Sequence, residues 1–141
     1  TGMITGIAIG TASITATIVD YPEVTITVPI EVAGSIQPSY SVTIAFTGSA
    51  QIYVGGNAKT LTAHVFNNGT EVTDKLVTWS LSNQDGSTTA MANITSATDL
   101  ICKVQAVNNK ANLNKYVVLR AALSDDTTVF IDLAIKLVSV M

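Results

Sequence analysis

The sequence predicts an all-β protein organised as an antiparallel sandwich, and three observations predict it. Short apolar runs recur at period two along most of the chain, which is the spacing of residues sharing one face of a strand. Clusters of Gly, Asn, Asp, Ser and Pro separate these runs at short intervals, as turns separate the strands of a sandwich. No stretch repeats its apolar residues at the spacing of about 3.6 that an amphipathic helix requires.

With 141 residues the chain accommodates one domain, or one domain and part of another, and ~100 residues suffice to bury a core without disulfides or metal. Charged residues make up 12% of the chain and apolar residues 48%. So low a charge density implies extensive burial or contact with neighbours. A net charge of −3 with only seven Lys and Arg removes the electrostatic basis for binding nucleic acid or an anionic membrane. Every apolar run is interrupted before the ~20 residues that span a bilayer. The single cysteine, Cys102, has no partner for an intramolecular disulfide. The opening TGMITGIAIG has neither the basic region nor the long apolar core of a signal peptide. Because it begins mid-pattern, it reads as part of a longer polypeptide.

Taken in order, MITGIAIG alternates weakly from Met3 to Gly10, is punctuated by Gly6 and Gly10, and leads into a first hairpin with arms over Ala12 to Ile18 and Val24 to Val32, Pro22 being assigned to its turn. Pro29 lies inside the second arm, which marks an edge strand because proline donates no ladder bond. EVAGSIQPSY supplies a linker at 34–39. Strands then follow at YSVTIAF, with Val42, Ile44 and Phe46 on one face, at AQIYV with Ile52 and Val54, and at LTAHVF with Leu61, Ala63 and Val65 inward and His64 and Phe66 outward. Asn68-Gly69 is a strong turn signal, since both residues tolerate positive φ. VTWSLSN places Val77, Trp79 and Leu81 inward, AMANI and LICKVQAV add two short strands, and NNKANLNK is a polar loop.

The closing stretch Tyr116 to Val138 reads as a hairpin around an acidic turn, with Val117, Leu119, Ala121 and Leu123 on one face joined by Val129, Ile131, Leu133, Ile135 and Leu137. The first hairpin repeats this pattern at a constant offset: Ile14 corresponds to Leu119 (119 − 14 = 105), and the correspondence runs on to Val32 and Leu137. The expected organisation is therefore 1–33 as the closing strands of a preceding repeat and 40–141 as a complete sandwich. Its core is expected to include Leu61, Val77, Trp79, Leu119, Ala121, Ile131 and Leu133. A lone tryptophan on a central strand, flanked by an earlier strand and a late hairpin, occupies the place of the core tryptophan in an immunoglobulin-like sandwich.

Gly10-Thr11-Ala12-Ser13-Ile14-Thr15-Ala16, followed by a Thr/Val strand, resembles the ending of a bacterial group 2 immunoglobulin-like domain. The second module resembles the immunoglobulin-like domains of tailed-phage structural proteins. That likeness rests on Val72 to Asp74 ahead of Val77-Thr78-Trp79-Ser80, and on Cys102-Lys103-Val104-Gln105-Ala106. The second module departs from the group 2 pattern in lacking a Gly-Thr-Ala lead before Tyr116. The resemblance implies adhesion, spacing or decoration as one module of a virion protein of head, neck or tail, or alternatively of a bacterial cell-surface adhesin. The implied partners are other virion subunits, neighbouring repeats or a host-surface glycan, with a homo-oligomer through 1–33 as a further possibility. It brings no catalytic residues and no cofactor.

Candidate sites are few. His64 is the only histidine, so any nucleophile and base pair must be built on it, yet its parity turns it away from the face that holds Cys102. Asp125 and Asp126 are paired loop carboxylates and candidate calcium ligands. The competing reading is turn chemistry, favoured because Asp20 recurs at the place of Asp125 while Tyr21 stands at that of Asp126. Asp85-Gly86 reads as another turn, and Asn68-Gly69-Thr70 and Asn93-Ile94-Thr95 match the glycosylation pattern. Tyr21, Tyr40, Tyr53, Tyr116, Phe66 and Phe130 are the aromatics on which a sugar could stack, and they do not cluster in sequence.

Overall fold

The computed structural model describes residues 3–34 and 37–140. Ser35 and Ile36, within the expected linker, lie outside the described residues. The chain divides into two compact units, Thr1–Gln37 and Pro38–Met141.

The first unit is a two-stranded antiparallel ribbon of β1 (Gly10–Ile18) and β2 (Tyr21–Val32). Its register pairs Ala12 with Ile30, Ile14 with Val28 and Ala16 with Ile26, so one face is apolar. Thr11, Ser13, Thr15 and Thr17 meet Glu31, Pro29, Thr27 and Thr25 on the other, where the Thr15 and Thr27 hydroxyls lie 3.0 Å apart. Pro22, expected in the turn, belongs to β2. The register shifts between Thr17 and Ile18, and that irregularity shortens the turn to Val19 and Asp20.

The second unit is a β-sandwich, with nine strands among the described residues. One sheet has the order β3 (Tyr40–Ala45), β5 (Lys59–Asn67), β9 (Ile101–Ala106), β8 (Ala92–Ala97), with β6 (Thr70–Val72) paired to β5. The other has the order β4 (Gln51–Val54), β11 (Phe130–Ser139), β10 (Tyr116–Leu123), β7 (Val77–Asn83). Asn68 (φ 49°) and Gly69 (φ 81°) turn β5 into β6, both in the left-handed region that the Asn-Gly pair favours. The loop before β10 holds one turn of 3-10 helix at Lys110–Asn112, capped by the Asn109 side chain, which accepts from the Ala111 amide.

The sandwich is not wholly antiparallel. β4 runs parallel to β11 over Gln51–Val54 and Lys136–Ser139, because the chain leaves β3 at the edge of one sheet and crosses to the edge of the other. Gly48 (φ 75°) supplies the left-handed residue of the crossing. The Lys59 ammonium donates to the carbonyls of Thr47 and Ser49 and lies 5.1 Å from the Phe46 ring centroid, tying the crossing to β5.

Inward residues of both sheets form two clusters. The larger joins Ile52, Val54, Leu61, Cys102, Val104, Val117, Leu119, Ile135 and Leu137, and the smaller joins Val42, Ala63, Val65, Val77, Ala121 and Leu123. Leu61, Val77, Leu119 and Ala121 are buried as expected. Trp79, Ile131 and Leu133 are only partly buried, and sheet edges explain it. β7 is the last strand of its sheet, not a central one. β4 covers β11 only from Lys136 onward, which leaves Ile131 and Leu133 on an edge.

Candidate functional site

The reactive side chains do not converge. β5 alternates strictly, with Leu61, Ala63 and Val65 buried and His64 on the opposite face, where its Nδ1 lies 2.5 Å from Glu71 Oε1 on the neighbouring β6. Cys102 is fully buried between the sheets with Val104, and burial pushes its thiol up to about 11. The nucleophile is thus buried and protonated, and the only histidine faces outward. Alkylation of Cys102 at pH 8 is expected to run at least about a hundred-fold slower in native protein than in denaturant, since only the accessible thiolate reacts. Labelling followed by mass spectrometry measures this, and rapid native labelling would place Cys102 outside the core.

Asp125 and Asp126 are occupied separately. The Asp125 carboxylate pairs with the Lys75 ammonium at 2.5 Å, and that hydrogen bond holds it below the usual aspartate range. Asp126 Oδ1 accepts from the Thr128 amide at 3.1 Å and from its hydroxyl, an Asx turn that closes the β10–β11 hairpin. No three His, Cys, Asp or Glu side chains gather among the described residues. Asp85 likewise accepts from the Ser87 hydroxyl and amide, bonds that lower its pKa. Asn93 is exposed on β8, and Asn68 sits in its turn.

The aromatic residues are partly engaged by the chain's own cations. Lys75 lies 5.0 Å from the Tyr40 ring centroid, and the Arg120 guanidinium 3.8 Å from that of Phe130. Tyr53 and Tyr116 remain exposed. Arg120 also grips Asp132, directly opposite it on β11, through two hydrogen bonds of 2.7 Å. These bonds raise the arginine pKa and lower that of the aspartate.

This ion pair lines one side of a groove of about 410 Å³ on the outer surface of the β4-β11-β10-β7 sheet, together with Ser80, Ser82, Asn83 and Thr88. The Asn83 amide donates to the Ser87 hydroxyl at 2.9 Å and to the Thr88 carbonyl, while its Oδ1 is buried with no hydrogen-bond partner among the described residues. The groove escaped sequence analysis because its residues come from separate strands. One signal was available: in the closing hairpin Arg120 and Asp132 share the polar face and fall opposite one another.

Asp132 permits a pH prediction with a defined sign. A carboxylate held below its ordinary value of 3.8 contributes stability that is complete above that value and is lost as pH falls through the folded one. Thermal unfolding midpoints are expected to fall below about pH 4, and to fall less in Asp132→Asn. The pair is half exposed, so the difference stays within ~1 kcal/mol. An unchanged acid slope in the variant would show that the pair is not formed in solution.

Comparison with protein-family descriptions, with curated proteins and with solved structures returned no match to this chain.

Proposed function

We propose that Pro38–Met141 is a non-enzymatic immunoglobulin-like module that functions by position, as a structural or decorating unit of a virion protein. The observation that carries the reading is the strand order. An immunoglobulin constant-type sandwich places strands A, B, E and D in one sheet and C, F and G in the other. In chain order β3, β5, β7, β8, β9, β10 and β11 take the letters A to G, and the sheets β3-β5-β9-β8 and β11-β10-β7 then read A-B-E-D and G-F-C. The dispersed reactive groups agree with a positional role, since His64 and Cys102 occupy opposite faces of the A-B-E-D sheet. The virion assignment rests on the resemblance of residues 72–74, 77–80 and 102–106 to modules of tailed-phage proteins.

A second reading, an adhesin module that holds a glycan, is favoured by the polar groove that Ser80, Ser82 and Thr88 form beside Arg120 and Asp132. Two experiments separate the readings. Mass spectrometry of purified virions and of bacterial envelopes locates the polypeptide, and recovery from envelopes alone would reject the virion assignment. An array of bacterial wall polysaccharides tests the groove. Binding that Arg120→Ala or Ser82→Ala abolishes would replace the positional role with recognition.

A further inference from the structure

The geometry of β1–β2 points to a specific missing partner: the ribbon is the F–G hairpin of a second sandwich, and its apolar face and both outer edges are built to receive the remaining strands of a neighbouring immunoglobulin-like module carried outside Thr1–Met141. The inference deepens the reading of the chain as a positional module and rests on it.

The first support is register. All seven β10–β11 pairs, from Tyr116 with Lys136 to Ala122 with Phe130, reappear in β1–β2 at the same offset, from Thr11 with Glu31 to Thr17 with Thr25. The inward residues are also close in kind. Ala16, Val24, Ile26 and Ile30 are identical to Ala121, Val129, Ile131 and Ile135. Ile14, Ile18, Val28 and Val32 replace leucines, and Ala12 replaces Val117.

The second support is what surrounds the equivalent hairpin. β7 pairs antiparallel with the outer edge of β10, β4 pairs parallel with that of β11, and the β3-β5-β9-β8 sheet covers the apolar face. β1 and β2 pair only with each other among the described residues. Leu119 is 0% exposed, whereas Ile14 is 37%, Val28 49% and Ile26 64% exposed. An isolated two-stranded ribbon is marginal in water, and a contiguous apolar face of this kind marks an interface.

The chemistry narrows the occupant. Residues 1–37 include Asp20, Glu23 and Glu31 but no Lys or Arg, which disfavours an anionic lipid surface. A second copy of the ribbon covers an apolar face but leaves the outer edges unpaired. The β4, β7 and β3-β5-β9-β8 strands of any copy already serve its own β10–β11. A neighbouring module satisfies face and edges together.

The test exchanges the hairpins within the full chain. Residues 116–138 are replaced by residues 11–33, and a control receives residues 12–34, a one-residue slip that turns every apolar side chain outward. In the matched exchange Pro29 falls at the place of Ala134, where β11 has β10 as its only neighbour among the described residues. The matched exchange is expected to unfold cooperatively, with Trp79 emission native-like and a midpoint lower by roughly 5–15 °C; the control is expected to be unfolded. A milder variant carries only the five inward differences, Val117→Ala, Leu119→Ile, Leu123→Ile, Leu133→Val and Leu137→Val. If it and the matched exchange are both as unfolded as the control, the hairpins are not equivalent and the inference fails.

The occupant is tested by sedimentation of the full chain and of Ile14→Asp/Ile26→Asp. Unchanged mass and an unchanged Trp79 transition support the inference. A dimer that the double variant dissolves would make a second copy the occupant. A fall in the Trp79 midpoint would make it Pro38–Met141 of the same chain. Either result overturns the inference, and neither bears on the virion and glycan experiments, so the two readings fail separately.

Discussion

Leu119→Ala is expected to destabilise the Pro38–Met141 sandwich by about 3–5 kcal/mol, toward the upper end for a buried leucine. Leu119 is 0% exposed and sits in β10, flanked by Leu133 on β11 and Leu81 on β7. It shares a cluster with Ile52 and Leu137 of its own sheet and with Leu61, Cys102 and Val104 across the sandwich. Truncation removes the transfer free energy of the lost methyl and methylene groups. It also leaves a cavity that strands hydrogen-bonded on both sides of β10 cannot collapse to fill. A domain with ~5–15 kcal/mol in total loses a large share of its stability. Urea denaturation reads the loss as a lower midpoint at unchanged slope. Arg120→Ala, one residue along and on the outer face, is the internal control and is expected to leave the urea midpoint close to that of the unchanged chain. Equal midpoints for the two variants would mean that the faces of β10 are misassigned.

The same contrast shows what was legible in the sequence. Period two reports which way a side chain points, so Leu61, Val77, Leu119 and Ala121 were readable as core from alternation alone. Asn68-Gly69 was readable because few dipeptides tolerate two consecutive positive φ angles. Alternation is silent about which strand lies alongside, and strand neighbours are set by contacts distant in sequence. The parallel β4–β11 pair, the edge position of β7 and the half-covered β11 were therefore not legible. Trp79, Ile131 and Leu133 came out more exposed than their parity suggested for that reason. The surface pairs divide the same way. Arg120 and Asp132 follow from the hairpin register, whereas Lys75 and Asp125 stand 50 residues apart and meet only through the fold.

Trp79→Ala is the other large effect, expected at about 3 kcal/mol, the lower end for a tryptophan because the indole lies on an edge strand. Trp79 packs against both clusters and pairs with Ala121 across the β7–β10 ladder. Its indole N–H donates to the Thr98 carbonyl at 3.1 Å, on the connection between β8 and β9, so the side chain also links the open edges of the two sheets. Thr98 is exposed, and water replaces the lost donor, so the cost is chiefly that of lost packing. Trp79→Phe separates the terms: it keeps most of the apolar area, gives up the hydrogen bond, and should cost about 1 kcal/mol. His64→Ala removes an outward pair with Glu71 and should change stability by less than ~1 kcal/mol. Because Trp79 is the only tryptophan, its variants are followed by circular dichroism in urea. The order Trp79→Ala, then Trp79→Phe, then His64→Ala is the expected result. A His64→Ala loss larger than that of Trp79→Ala would reverse the assignment of inner and outer faces on both β5 and β7.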